Sequence, residues 1–253
     1  MSENGLGVGE FTFPGGAAGS QLLGVLPGAH LGPIVSALLV TRACEGRAGL
    51  RSWRRRLTTF RVNWAWYVAV LLPVPAALTL ATMARSGDHP VLPPALLLLA
   101  YLPGLALQLI TTGLAEEPGR RESAMPRLQR RFGPLRATLI VGPLWGDWHL
   151  PLFLTQWGGG PHVDPMKPLE FMATVIAFSF AMTWLFNRSG ESMPLVMLLH
   201  TSVNNYFSMA WTAMFPSTSE DTPAHAFLLT STTAALILLA TTRGRLGLRA
   251  VRI

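Results

Sequence analysis

The run Val91-Leu92-Pro93-Pro94-Ala95-Leu96-Leu97-Leu98-Leu99-Ala100-Tyr101-Leu102-Pro103-Gly104-Leu105-Ala106-Leu107-Gln108-Leu109-Ile110-Thr111-Thr112-Gly113-Leu114 carries no charge and decides how the chain is read. At ~1.5 Å per residue it is long enough to cross a hydrocarbon core of ~30 Å. Working outward, comparable runs occupy residues 21–41, 64–84, 135–154, 169–186, 193–215 and 224–242. The sequence therefore predicts an all-α fold, a polytopic transmembrane helix bundle of about seven membrane-spanning helices. The first run is interrupted by Pro27, His30, Gly32 and Pro33. Prolines in the others are tolerable, because neighbouring helices and waters can satisfy the freed backbone groups.

Composition agrees. Of 253 residues, 50% are hydrophobic and only 13% charged, against about a quarter charged in a soluble domain. A lone cysteine, Cys44, excludes a disulfide scaffold, and the apolar content excludes disorder over most of the length. The net charge of +7 would suit nucleic acid, so its position has to decide. With the amino terminus outside and the carboxyl terminus cytoplasmic, the inner segments are 42–61, 120–136, 187–192 and 243–253. They hold every Lys and Arg except Arg85 and Lys167. That asymmetry orients a multi-pass protein in the cell membrane and leaves no reason to invoke nucleic acid. Trp53, Trp64, Trp66, Trp157 and Trp211 fall near span ends, where amphipathic rings are favoured.

Residues 1–20 are Gly-rich and carry Glu3 and Glu10 in place of a basic n-region, so no cleavable signal peptide is expected. The organisation predicted is a flexible segment 1–20, one membrane domain 21–243 and a basic tail 244–253, without internal repeats.

Ionisable groups at membrane depth mark a site by default. Glu116 and Glu117 stand at the end of the third run, followed by Pro118-Gly119-Arg120-Arg121. Glu117 and Arg121 have the favourable i,i+4 order. Two adjacent carboxylates in a poorly solvated place cannot both ionise cheaply, which suits one of them to general acid–base work. The alternative is a helix end whose acids balance the arginines. In Trp145-Gly146-Asp147-Trp148-His149, Trp145 and His149 share a helical face and Asp147 does not. His149 is either a reacting group or an interhelical hydrogen-bond donor. His200 and Asn204 are again four apart and can aim two donors at one point, as a developing oxyanion requires; helix-to-helix glue is the competing reading. Asn205 points away from that face. The turn Arg188-Ser189-Gly190-Glu191-Ser192 predicts antiparallel helices on either side, with Ser192 as N-cap and Pro194 in the first turn.

Taken in order, Glu116-Glu117-x-x-x-Arg121, Trp145-x-x-x-His149 and His200-x-x-x-Asn204 resemble the CPBP family of intramembrane proteases, the CAAX-processing and bacteriocin-processing group that includes type II CAAX prenyl endopeptidases. The stretches 144–153 and 41–50 share the likeness, which covers roughly residues 31–213. Three features depart from the family pattern. Trp145 stands where Phe is common, Asp147 where a neutral residue is expected, and relatives usually carry another hydrophobic helix before 21–41.

The resemblance implies hydrolysis of a peptide bond in a membrane-associated peptide or protein. Glu116 and His149 would activate water, His200 and Asn204 would hold the oxyanion, and Glu117 and Arg121 would shape the site. Glu116, His149 and His200 could ligate zinc, but without a His-Glu-x-x-His motif a metal-free, glutamate-activated water is favoured. The excess of Arg over Lys suggests a GC-rich bacterial genome, for which bacteriocin-related maturation or immunity is the family-level expectation. A proton-coupled transporter and an inactive membrane scaffold or immunity protein are the rival readings. One difficulty is depth: straight helices with these boundaries leave Glu116 and His149 at different heights, unless the third helix continues past Glu117 with a kink at Pro118.

Overall fold

A computed structural model describes residues 26–154 and 164–248, with the backbone course alone for 26–31. The expectations for residues 1–20, for Trp157 and His162 and for the last part of the basic tail lie outside the described residues.

The described elements are all helices: α1 (Leu26–Leu57), α2 (Ala65–Leu71), α3 (Pro73–Ser86), α4 (Ala95–Gln108), the single turn α5 (Leu114–Glu117), α6 (Met125–His149), α7 (Met166–Arg188), α8 (Met193–Asn205), the short α9 (Thr212–Met214) and α10 (Thr222–Thr242). Wide π-helical turns at Leu109–Gly113, Pro118–Ala124 and Tyr206–Trp211 join α4 to α5, α5 to α6 and α8 to α9. Among the described residues, four stretches are long and apolar enough to cross a membrane: Ala65–Ser86, Ala95–Leu154, Met166–Arg188 and Thr222–Thr242. The predicted first and sixth runs are helical too, in α1 and α8, but neither is among those four.

The stretch Ala95–Leu154 joins the third and fourth predicted runs through 120–136, which the sequence reading set between them as an inner segment. Helical backbone runs through that segment because its polar side chains find partners: Arg56 Nη1 is 3.1 Å from Glu122, and Arg127 Nε is 3.0 Å from Glu45. The 60 residues nonetheless fold back on themselves. Trp145 and Glu116 are 29 residues apart, which is ~44 Å along a straight helix, yet their side chains are hydrogen-bonded at 3.2 Å. The reversal lies at Gly133, whose φ of 76° and ψ of 167° are open to glycine and strained for other residues. Gly46 (φ 61°, ψ −148°) breaks α1 in the same way.

Contacts between helix termini sort the bundle into two ends. At one, Arg56 Nε meets Glu191 at 2.6 Å and Asn187 Nδ2 donates to Gln129 and to the Leu246 carbonyl. The Arg-rich segments near 42–61, 120–136, 187–192 and 243–248 thus gather in one place, and Leu246 tucks fully into the core. At the other end, Lys167 pairs with Asp221, and Val91 N–H donates to the Met214 carbonyl.

α8 occupies the centre and is buried on nearly every side, from Met193 to Val203 and at Asn205. Ser192 holds its N-cap position, but its hydroxyl donates to the Thr59 carbonyl (2.7 Å) in place of the helix's own N–H groups. Trp211 is a core residue donating to Thr82 Oγ1 at 3.1 Å, where an interfacial position had been expected; Trp64 stays exposed.

Candidate active site

Glu116 and Glu117 sit in the single turn α5, between two π-helical turns. The second of these begins at Pro118, which has no N–H to return to the preceding turn, so the ladder slips to wider spacing; Met125 N–H reaches the Arg120 carbonyl, five residues back. The helix therefore does continue beyond Glu117. With the reversal at Gly133, α6 is brought alongside α5, and the height mismatch expected from straight helices disappears.

Arg120 is the residue that sequence reasoning missed. Its Nη2 lies 2.7 Å from Glu116 Oε2 and 2.9 Å from Glu117 Oε1, and its guanidinium stacks over the Trp145 ring at 4.4 Å from the centroid. The two carboxylates thus share one cation, which relieves the repulsion the sequence suggested. The signal was present, since Glu116 and Arg120 have the same i,i+4 order as Glu117 and Arg121. Counting Arg120 with the inner-face charges concealed it.

Trp145 is the hub of the arrangement. Its Nε1–H donates to Glu116 Oε2 at 3.2 Å, and its ring packs edge-on against both His200 and His149, with centroids 5.2 and 6.2 Å away. His149 places Nδ1 2.9 Å from the Trp145 carbonyl. A carbonyl only accepts, so Nδ1 carries the proton there, and Nε2 stands 3.8 Å from Glu116 Oε2.

From α8, His200 Nδ1 approaches Glu117 Oε1 at 2.9 Å, while Asn204 Nδ2 lies 3.5 Å from His200 Nε2. Arg121, 1% exposed, is spent on α7: it donates to Ser179 Oγ (2.8 Å), Thr183 Oγ1 (3.0 Å) and the Ser179 carbonyl (3.3 Å), with Nε 3.6 Å from Glu117 Oε2. That arginine fastens the glutamate turn to its neighbour.

The structure thus brings Glu116, Glu117, Arg121, His149, His200 and Asn204 together from three parts of the chain. Asp147 is exposed and takes no part, and Asn205 is fully buried with Nδ2 donating to the Tyr101 carbonyl. A zinc ion does not fit. Among the described residues no three His, Cys, Asp or Glu side chains are grouped to hold one, and Glu116 Oε2 already accepts from Arg120 and Trp145. Glu116 and Arg120 also form the polar wall of a cavity of about 180 Å³.

Comparison with known proteins meets this geometry. Residues 97–206, the segment that contains every one of these side chains, match the family model described as Type II CAAX prenyl endopeptidase Rce1-like. Over that segment the chain is similar to these endopeptidases, the CPBP group that the three motifs resemble. Over 107 residues it is 25% identical to CAAX prenyl protease 2 of Methanococcus maripaludis, a match covering 41% of this chain and 39% of that protein. The chain therefore matches about two fifths of its relative's length.

Proposed function

We propose that this protein is an intramembrane endopeptidase that hydrolyses a peptide bond of a membrane-associated peptide or protein. In this reading the Arg-rich end of the bundle faces the cytoplasm, the amino terminus lies outside, and the chain crosses the cell membrane about seven times. The observation that carries it is the convergence of two carboxylates, two imidazoles and a carboxamide around Trp145 and Arg120, each held by a second side chain or a backbone group.

A water in the cavity beside Glu116 attacks the substrate carbonyl and gives its proton to the carboxylate, with His149 Nε2 close enough to share it. A new C–O bond forms and the carbonyl oxygen becomes an oxyanion. His200, held through Nδ1 by Glu117, and the Asn204 amide face that oxyanion from α8. The C–N bond then breaks, and the proton held by Glu116 and His149 passes to the departing amine. Arg120 keeps Glu116 aimed, and Arg121 keeps Glu117 in place.

The test is cleavage of a peptide library by purified protein reconstituted in liposomes, comparing wild type with Glu116→Ala and His149→Ala. Loss of cleavage in both variants supports the protease. Proton-coupled uptake without cleavage supports a carrier, and neither activity supports a scaffold.

A further inference from the structure

A polar seam borders the joint between α4 and α8, on a different side of the site from the cavity. Thr112 Oγ1 donates to Gln108 Oε1 at 3.2 Å, which turns the Gln108 amide nitrogen towards Ser208 Oγ, 3.5 Å away. Ser208 belongs to the π turn that follows α8, four residues beyond Asn204. Two glycines close the joint. A Cβ on Gly104 would lie 2.9 Å from Asn205 Oδ1, and one on Gly113 would lie 3.1 Å from Met197 Cβ and 3.2 Å from Thr201 Cγ2. Gln108 and Thr112, between those glycines, are thereby held at the edge of α8. They are half-buried and Ser208 is exposed, on a surface where Leu107 and Ile110 are 62% and 64% exposed. Polar groups at the rim of so apolar a stretch are costly without a polar partner.

We infer that this seam holds the extended main chain of the substrate, with Gln108 and Ser208 hydrogen-bonded to its backbone several residues from the scissile bond. The inference rests on the endopeptidase reading above. A peptide bond presented for cleavage lies in unwound chain, and unwound chain beside hydrocarbon leaves its N–H and C=O groups unpaired. The seam offers them partners. The Gln108 amide nitrogen has two N–H groups, of which Ser208 Oγ takes one at the far limit of hydrogen-bond range. Among the described residues the other has no acceptor, so it suits a substrate carbonyl, and Ser208 Oγ suits a substrate N–H. The seam is continuous with the site through Asn204. Gln108 and Ser208 each stand eight residues from a site residue, Glu116 and His200 respectively. Eight residues are ~12 Å of helix, which an extended peptide covers in about four residues.

The experiment uses the full-length protein in liposomes and one cleaved peptide, remade as a series with a single backbone amide replaced by an ester at each position away from the scissile bond. An ester removes one N–H and weakens one carbonyl acceptor without changing any side chain. Wild type should lose about three- to tenfold in kcat/KM at a position about four residues from the cut, the effect of one missing hydrogen bond. Ser208→Ala or Gln108→Leu should cleave the all-amide peptide more slowly by a similar factor and treat amide and ester at that position alike. Loss of that discrimination in either variant supports the seam; a role in packing alone would slow every peptide equally and leave the discrimination in place. If wild type cleaves but shows no such position, or both variants keep its discrimination, the seam is overturned and the endopeptidase reading stands. Discrimination kept while a cross-linked dimer disappears overturns it too, and gives the surface to a second copy of the chain. If wild type cleaves none of the peptides, or Glu116→Ala cleaves them equally well, the endopeptidase reading fails and the seam falls with it.

Discussion

Glu117 Oε1 and His200 Nδ1 lie 2.9 Å apart although 83 residues separate them, and both side chains are buried. The contact fixes which nitrogen of His200 faces the glutamate and therefore which one, Nε2, is turned towards Asn204. It links the motif on α5 to the motif on α8 more directly than any other pair in the site.

Replacing Glu117 with glutamine tests that link. The amide oxygen can still accept from Nδ1–H, so the fold should persist, but the negative charge beside His200 is gone. Steady-state kinetics should show kcat down by about 10²-fold, as for loss of an oxyanion donor, with KM little altered. A change confined to KM would assign Glu117 to substrate binding.

Arg120 should be irreplaceable even by lysine. Lysine keeps the charge but not the planar fork that reaches two carboxylates and stacks on Trp145. Arg120→Lys should fold and lose at least about tenfold in kcat/KM, whereas Arg120→Ala should also lower stability by roughly 3 kcal/mol by leaving two buried carboxylates short of a cation. Thermal melting in detergent beside the cleavage assay separates the two effects.

The reversal at Gly133 gives a prediction about stability alone. A Cβ added there meets nothing within 4 Å, so the effect of Gly133→Ala is one of backbone conformation. It should cost about 1–3 kcal/mol and reduce activity by displacing α6 from α5. Gly32→Ala also meets nothing within 4 Å and has no positive φ; it should be neutral or stabilise by up to ~1 kcal/mol. Equal melting curves for the two variants would remove the role given to Gly133.

The regions that apolar length could announce were legible: the run at 64–84 appears as α2 and α3, that at 169–186 as α7, and that at 224–242 as α10. The site was legible as spacing, because i,i+4 pairs share a face whatever the tertiary structure. What spacing could not show was how far the helix runs beyond Glu117, since the arginines of 120–132 read as an inner segment until Glu45 and Glu122 are known to pair with Arg127 and Arg56. The π-helical turns on both sides of α5 were equally invisible, because they abandon the 3.6-residue period on which every face assignment relied. Arg120's reach to both glutamates follows from that local geometry, and Trp211's burial from a packing partner on α3 that no local pattern names.

The central claim is that Glu116 and His149 act on one water as a unit, their Oε2 and Nε2 being 3.8 Å apart. A double-mutant cycle measures this directly, comparing kcat/KM on one membrane-embedded peptide for wild type, Glu116→Ala, His149→Ala and the double variant. Each single variant should lose about 10²–10⁴-fold, and the double variant should be no slower than the slower single one, as for residues that work together. Losses that multiply, or a single variant that keeps the wild-type rate, would contradict the account.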